Sequence, residues 1–322
     1  MGMRLSADGG PAAMERFARS LLAPHRRNRS TRGGRRNPVA YLYVLPAVAI
    51  FALFIAFPVG FAGWLSFHSW NGFTSLGDAP DVGFSNYRLA GSDPIFHQAL
   101  TNTITYTIAA TAAQMVIAFI LAFTLWHYRP RFATALRALY FFPAVLSMVV
   151  IGLVWRQLLA PNGPVDLFVQ HLGLPSVDWL GSPSLVLWVI VWVSTWQWSG
   201  WTMILYLAGM VGIPGEIVEA AKIDGAASWA VLRHIVVPSI RHVTALALLL
   251  NVVGAFQVFT TIYVMTGGGP NHASETLGTY SWWVAFSSYG PGQLGYAATI
   301  AMVMVVVLFV FSLIRVRLSR LV

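Results

Sequence analysis

Apolar residues in this chain gather into long runs, and a run of roughly twenty is what a helix needs to cross the hydrocarbon core of a bilayer. Six stretches qualify, at about 40–67, 98–126, 137–159, 184–211, 241–265 and 291–314. Between them, the segments 68–97, 160–183 and 266–290 are rich in Gly, Pro, Asn and Asp, which predicts turns and short surface helices. The pattern predicts an all-α membrane protein with six transmembrane helices. Its expected organisation is an arm over 1–37 and a six-span domain over 38–322, interrupted by a polar central loop at 212–240. The first apolar run is too long for a signal peptide and no clear small-residue cleavage site follows it. No internal repeat or separate soluble domain stands out.

Composition makes lipid the main solvent. Of 322 residues, 57% are hydrophobic and 10% charged, with mean hydropathy +0.66. A soluble domain would carry about 25% charged residues. Cysteine is absent, which removes disulfides, thiolate catalysis and sulfur-ligated metals together. Nine of the 20 basic residues precede Asn37, in an arm that contains RRNRSTRGGRR and few apolar residues. Such an arm is expected to be disordered, to stay in the cytoplasm and to touch anionic lipid. No aromatic or groove-reading module accompanies it, so nucleic acid is not an expected partner. With the arm inside, only Arg88 and Arg156 of the 20 basic residues fall outside, while Asp78, Asp81, Asp93, Asp166, Asp178 and Glu275 do. That asymmetry predicts a multi-pass cell-membrane protein with both termini cytoplasmic. Trp64, Trp70, Trp179 and Trp188 read as belt aromatics at the outer boundary, and Arg156 as a snorkelling side chain.

The central loop has its own pattern. Gly215 to Lys222 predicts a short helix opening after Pro214, with Glu216 and Glu219 near the end where the dipole favours anions. Ala220 and Ala221 are small enough for another backbone to approach. Asp224-Gly225 is a turn pair. A second amphipathic helix is expected over 227–236, with Trp229, Leu232 and Ile235 on one face, stopped by Pro238. A loop that transmits force has to be short, helical and stiff, and this one is. The residues alone fit a plain cytoplasmic hairpin equally well.

The stretch EAAKIDGAASWAVLRHIVVP, Glu219 to Pro238, resembles the cytoplasmic "EAA" loop of permease subunits in ATP-binding-cassette importers. FQVFTTIYVMTGGGP (256–270), SETLGTYSWWVAF and LGYAATIAMV look like the carbohydrate-uptake permeases of the maltose and glycerol-phosphate type, and the resemblance covers about 38–318. It implies a type I importer permease fold. It further implies a coupling helix that docks on a separate ATPase through Glu219, Ala220, Ala221, Asp224 and Gly225, with Ile235 and Pro238 at fixed offsets. The implied partners are a second homologous permease, two ATPase subunits that carry ATP and magnesium, and an extracellular solute-binding protein. This chain is expected to hold no cofactor itself. Gly267-Gly268-Gly269-Pro270 is no phosphate loop, since the only lysine, Lys222, precedes Ile223, so no Lys-Ser/Thr pair exists. The run is expected to end a helix at the outer face and to form part of the docking surface for the binding protein. The sequence lacks the large insertion and extra spans of the maltose permease itself, which leaves the cargo open among oligosaccharides, polyols and glycerol-phosphate derivatives.

Polar residues inside spans are costly and face a cavity or another helix. In the fourth run Ser194, Gln197, Trp198 and Trp201 share one helical face; in the fifth, Asn251, Gly254, Ala255 and Val258 do, with Gln257 beside them. Aromatic rings beside amides suit the CH faces and hydroxyls of sugars, and the matching positions line the substrate path in the maltose-type relative. Bundle packing is the competing reading. Ser147 and Met148 are weaker candidates for the same path. No His/Asp/Glu spacing predicts a metal site, and no nucleophile–base pair predicts catalysis. An ion-coupled secondary transporter is the alternative function, but the runs hold almost no Asp, Glu or Lys. A membrane enzyme lacks clustered catalytic groups here.

Overall fold

The computed structural model describes residues 38–128, 130–286 and 293–319; the basic arm over 1–37 lies outside them. The chain divides into two units, Met1–Ala56 and Phe57–Val322. In the first, α1 (Pro38–Phe51) runs into a π turn at Ala52–Ala56. Its residues from Leu42 onward are apolar and exposed, as a lipid-facing helix requires.

The second unit is helical throughout its described residues apart from turns and one isolated bridge, His68 to Asp81. Its helices are α2 (Phe57–Leu65), α3 (Ser85–Ser92), α4 (Pro94–Tyr128), α5 (Ala133–Val145), α6 (Met148–Leu158), α7 (Pro164–His171), α8 (Val186–Val211) and α9 (Gly215–Ile223). There follow α10 (Ser228–Ser239), α11 (Arg241–Phe256), α12 (Thr260–Met265), α13 (Leu277–Phe286) and α14 (Leu294–Ser319). Three helices, Leu42–Leu65, Pro94–Tyr128 and Leu294–Arg315, are long and apolar enough to cross a membrane unbroken. Three bent pairs bring the total to as many as six: α5 with α6 at 94°, α8 with α9 at 75°, and α10 with α11 at 69°. Two of the sequence's six runs are therefore not straight spans. The run 137–159 breaks at Leu146 and Ser147, which turn extended (ψ 148° and 132°) one turn after Pro143. The run 241–265 breaks at Gln257–Phe259, between α11 and α12.

Helices α4 and α8 form the centre. On α4, Ala110, Ala118 and Ala122 are fully buried at a spacing of four and eight residues, a strip of small side chains that lets helix backbones approach closely. On α8, Gly200 meets α5 so tightly that an added Cβ would lie 1.9 Å from the Tyr140 carbonyl oxygen. Gly209 approaches Val243 of α11 in the same way, at 2.8 Å. Exposed Leu, Ile, Val and Phe cover the outside of the spans.

One end of this unit is the elbow formed by α9 and α10; the other is a platform of loops held by polar networks. Asn102 of α4 donates to the carbonyls of His272 and Glu275, and Leu277 N–H donates to the Thr103 hydroxyl. Asp93 accepts from the hydroxyls of Tyr280 and Tyr296. Burial pushes the Asp93 carboxyl up, but these donors and the Ile95 and Phe96 amides outweigh it and hold it below the usual range. The Val177 amide, working against burial and together with Ser176, Asn162 and Gln170, holds the Asp166 carboxyl low and folds the α7 loop around it. Glu275 is the opposite case. Its side chain is buried, burial pushes its carboxyl up, and the Thr279 hydroxyl and the His272 ring, the latter at 3.2 Å, offset this only in part. Gly268, at φ +96°, has no room for a Cβ because the Glu275 carboxylate fills that space.

A methyl at Gly200 is expected to force α5 off α8: Gly200→Ala lowers the thermal midpoint of the purified protein by several degrees, whereas Gly254→Ala, which meets nothing within 4 Å, leaves it near wild type. The carboxylates give opposite pH signatures. Asp166, lowered on folding, stabilises above its unfolded value of 3.8 and loses that contribution as pH falls through its folded value, so Asp166→Asn is less stable at pH 7 and converges on wild type in acid. Glu275, raised on folding, costs stability as pH rises above 4.5, so thermal melts of Glu275→Gln are expected to match or exceed wild type at pH 7.

Candidate functional site

Two sites emerge, a cavity among the central helices and the exposed elbow. The cavity encloses about 420 Å³ and lies among α4, α6, α8, α11 and the break after α11. Ser194, Trp198 and Trp201 of α8 line it, as do Asn251, Gly254 and Ala255 of α11 and Val258 in the break. Gln197 does not. It is fully buried and neither of its side-chain polar atoms has a partner. The reason is angular: at 3.6 residues per turn the stripe through 194, 198 and 201 leaves position 197 about 60° to one side of Ser194. Gln257 and Met148 reach the cavity; Ser147 does not.

Reasoning from spacing missed Tyr106, Gln114 and Phe259 to Thr261, which also line it. The first two had a signal, since Thr103, Tyr106, Thr107, Ala110 and Gln114 put polar or small side chains on one face of an otherwise apolar run. Tyr106 donates to the Ser194 hydroxyl at 2.6 Å and ties α4 to α8 beside the cavity. The Thr202 hydroxyl donates to Asn251 Oδ1 at 3.1 Å, and Asn251 Nδ2 donates back to the Ala247 carbonyl at 2.9 Å. Asn251 keeps a lone pair and an N–H for a ligand after these bonds. The break itself is functional backbone. Thr276 caps the Val258 carbonyl through its hydroxyl at 3.3 Å, and the remaining irregular chain borders the cavity, the condition under which non-helical backbone is tolerated at membrane depth. Among the described residues, no Asp, Glu, Lys or Arg lines the space.

At the elbow, α8 ends at Val211 and α9 opens after Pro214. The Asp224 amide closes on the Ala220 carbonyl at 3.0 Å, and Gly225 takes φ +80°, which a residue with a Cβ adopts only at a cost. Val218, Ala221, Leu232 and Ile235 pack partly buried against Met210, Ile213 and Val236. Glu219, Ala220, Asp224, Gly225 and Pro238 are exposed. Pro238 does not stop the second helix. Residues Leu232–Val236 widen into a π turn in which Val237 N–H reaches the Leu232 carbonyl, Ser239 Oγ donates to the Ile235 carbonyl at 2.6 Å, and the helix runs on to Ser239. Trp229 does not share a face with Leu232 and Ile235; it is 68% exposed, and Ile223 is 86% exposed. Both are apolar side chains left open at the elbow. His127 at the end of α4 and Ser228 at the start of α10 meet at 3.0 Å, so the elbow is also held laterally.

Comparison with known proteins places this geometry. Residues 114–322 match the family model described as "Binding-protein-dependent transport system inner membrane component". The probable ABC transporter permease YurN of Bacillus subtilis is 34% identical over 87% of this chain and 95% of its own length. The lactose transport system permease LacF of Rhizobium radiobacter is 29% identical over 85% and 92%, and the diacetylchitobiose uptake permease NgcF of Streptomyces coelicolor 31% over 82% and 77%. Among solved structures, a bacterial ABC transporter involved in import of the acidic polysaccharide alginate shares the fold, with TM-score 0.77 and 22% identity over 89% of this chain and 96% of that one.

Proposed function

The chain belongs to the family of binding-protein-dependent transport inner membrane components, and on that footing we propose that it forms half of the membrane path of an ATP-driven importer for uncharged sugars. It is a multi-pass carbohydrate-uptake permease with an ABC importer fold. In the proposed arrangement the elbow and both termini face the cytoplasm, a second homologous permease completes the path, and an extracellular binding protein delivers the solute. Two ATPase subunits bind ATP and magnesium, which this chain does not hold itself.

The observation that carries the cargo class is the lining of the cavity. Tyr106, Trp198, Trp201 and Phe259 offer aromatic faces, and Gln114, Asn251 and Gln257 offer amides, with no ionisable carboxylate or cation among them. Rings stack on sugar CH faces while amides exchange hydrogen bonds with hydroxyls, each worth about 1 kcal/mol net. The alginate importer moves an acidic polysaccharide, and an anionic cargo in a low-dielectric path wants cations that this cavity lacks. Lactose and diacetylchitobiose, named for two relatives, are both uncharged. The same lack argues against ion coupling, which relies on ionisable groups at membrane depth.

Coupling follows from the elbow. Nucleotide binding by the partners shifts the population between inward- and outward-open states only as far as their contacts differ between the two. Glu219, Ala220, Ala221, Asp224 and Gly225 are the proposed contacts, with Ile235 and Pro238 setting the angle of α10. The bends of 75° and 69° flanking the elbow turn its displacement into tilting of α8 and α11, the two helices that border the cavity.

In proteoliposomes holding the complete transporter, Asn251→Ala and Trp198→Ala are expected to lower substrate-stimulated ATPase and sugar flux about five- to tenfold while basal ATPase stays near wild type. Gly225→Pro is expected to abolish uptake while the chain still inserts and assembles. Equal loss of basal and stimulated ATPase in the cavity variants, or normal uptake by Gly225→Pro, is the contrary result.

A further inference from the structure

At the elbow end, bordering the proposed docking face at Glu219, a groove of about 770 Å³ opens between the α4–α5 turn, α5, the end of α8 and α9. Arg131, Arg137 and Lys222 line it with His127, against a single carboxylate, Glu219. None of the three cations makes an ion pair within 4.0 Å among the described residues. The Arg137 Nε is buried and has no hydrogen-bond partner. A buried guanidinium nitrogen left unmatched costs the full desolvation of a donor on a charged group, about 1–3 kcal/mol or more. Among the described residues that donor is unmatched, so a ligand entering the groove can accept from it.

We propose that the groove binds a phosphate group, as the headgroup of an anionic phospholipid in the leaflet on the elbow side. Arg137, half-buried with its Nε enclosed, is the anchor, and Arg131 and Lys222 close over the anion from the turn and from α9. The surroundings fit a lipid rather than a fully soluble ion. Leu125, Trp126, Leu207 and Val211, at the ends of α4 and α8, form an apolar wall, which is where a glycerol and acyl chain would lie. Arg fits a phosphate through its planar fork and Lys as a point charge, so the set grips one group from three elements. Because Lys222 sits on α9 and Arg137 on α5, the bound anion bridges the elbow to the body of the bundle and steadies the elbow's angle. This assignment uses no residue of the central cavity and shares only Glu219 with the proposed ATPase contacts, so it stands or falls independently of the proposed cargo.

The test uses the complete transporter in nanodiscs of phosphatidylcholine with and without phosphatidylglycerol, with retained lipid counted by native mass spectrometry after mild delipidation. The wild type is expected to retain phosphatidylglycerol, and Arg137→Gln to lose it about fivefold, as expected for one removed cation. The double variant Arg131→Gln/Lys222→Gln, which alters only exposed positions, is expected to lose more and guards against misfolding of the first. Displacement of the lipid by added inorganic phosphate assigns the same groove to a soluble phosphate and upholds the chemistry. Equal retention in all three proteins overturns the proposal. So does cross-linking of Thr134→Cys, an exposed groove position in a chain without cysteine, to an ATPase subunit regardless of lipid, because the groove is then covered by protein.

Discussion

The contact between α8 and its neighbours at Gly200 and Gly209 has no slack: the carbonyl of Tyr140 and the side chain of Val243 occupy the space that any side chain would need. Apolar attraction cannot drive helices together in lipid, because acyl chains are as greasy as leucine, so close van der Waals packing has to. The small residues of α4 and α8 provide that packing, and the Tyr106–Ser194 bond adds direction to it. The central cavity, the elbow and the basic groove all border α8. Their geometry is therefore set by two glycines that touch no ligand.

A second constraint shapes the broken helices. Backbone groups at membrane depth need partners, so a break survives only where something else satisfies them or a cavity admits water. After α11 the break is held by Thr276 on one side and opens on the cavity on the other. After α5 it falls at Leu146 and Ser147, in the chain leading to Met148, another cavity residue. The interruptions and the ligand space coincide because each makes the other tolerable.

Much of this was legible in the residues. Run length and hydropathy reveal the spans, and the Glu219–Pro238 pattern reveals the elbow with its ends at Val211 and Arg241. Periodicity brought seven of the eight proposed path residues to one cavity and misplaced Gln197, because positions three and four residues apart are neighbours without being equivalent. Breaks were not legible, since a run of apolar residues looks the same whether or not its helix bends. Pro238 misled in the opposite direction: a proline stops a helix only if no widened turn absorbs the lost bond, and that depends on packing around Val236. The groove at Arg137 was invisible because its residues lie on three separated segments.

The openness of Ile223 and Trp229 has a cost before it has a use. Until a companion covers them, a newly made chain shows water the kind of surface that chaperones and proteases recognise. If the proposed ATPase contact covers that face, the lifetime of the chain in the cell is tied to the supply of that partner through these two side chains.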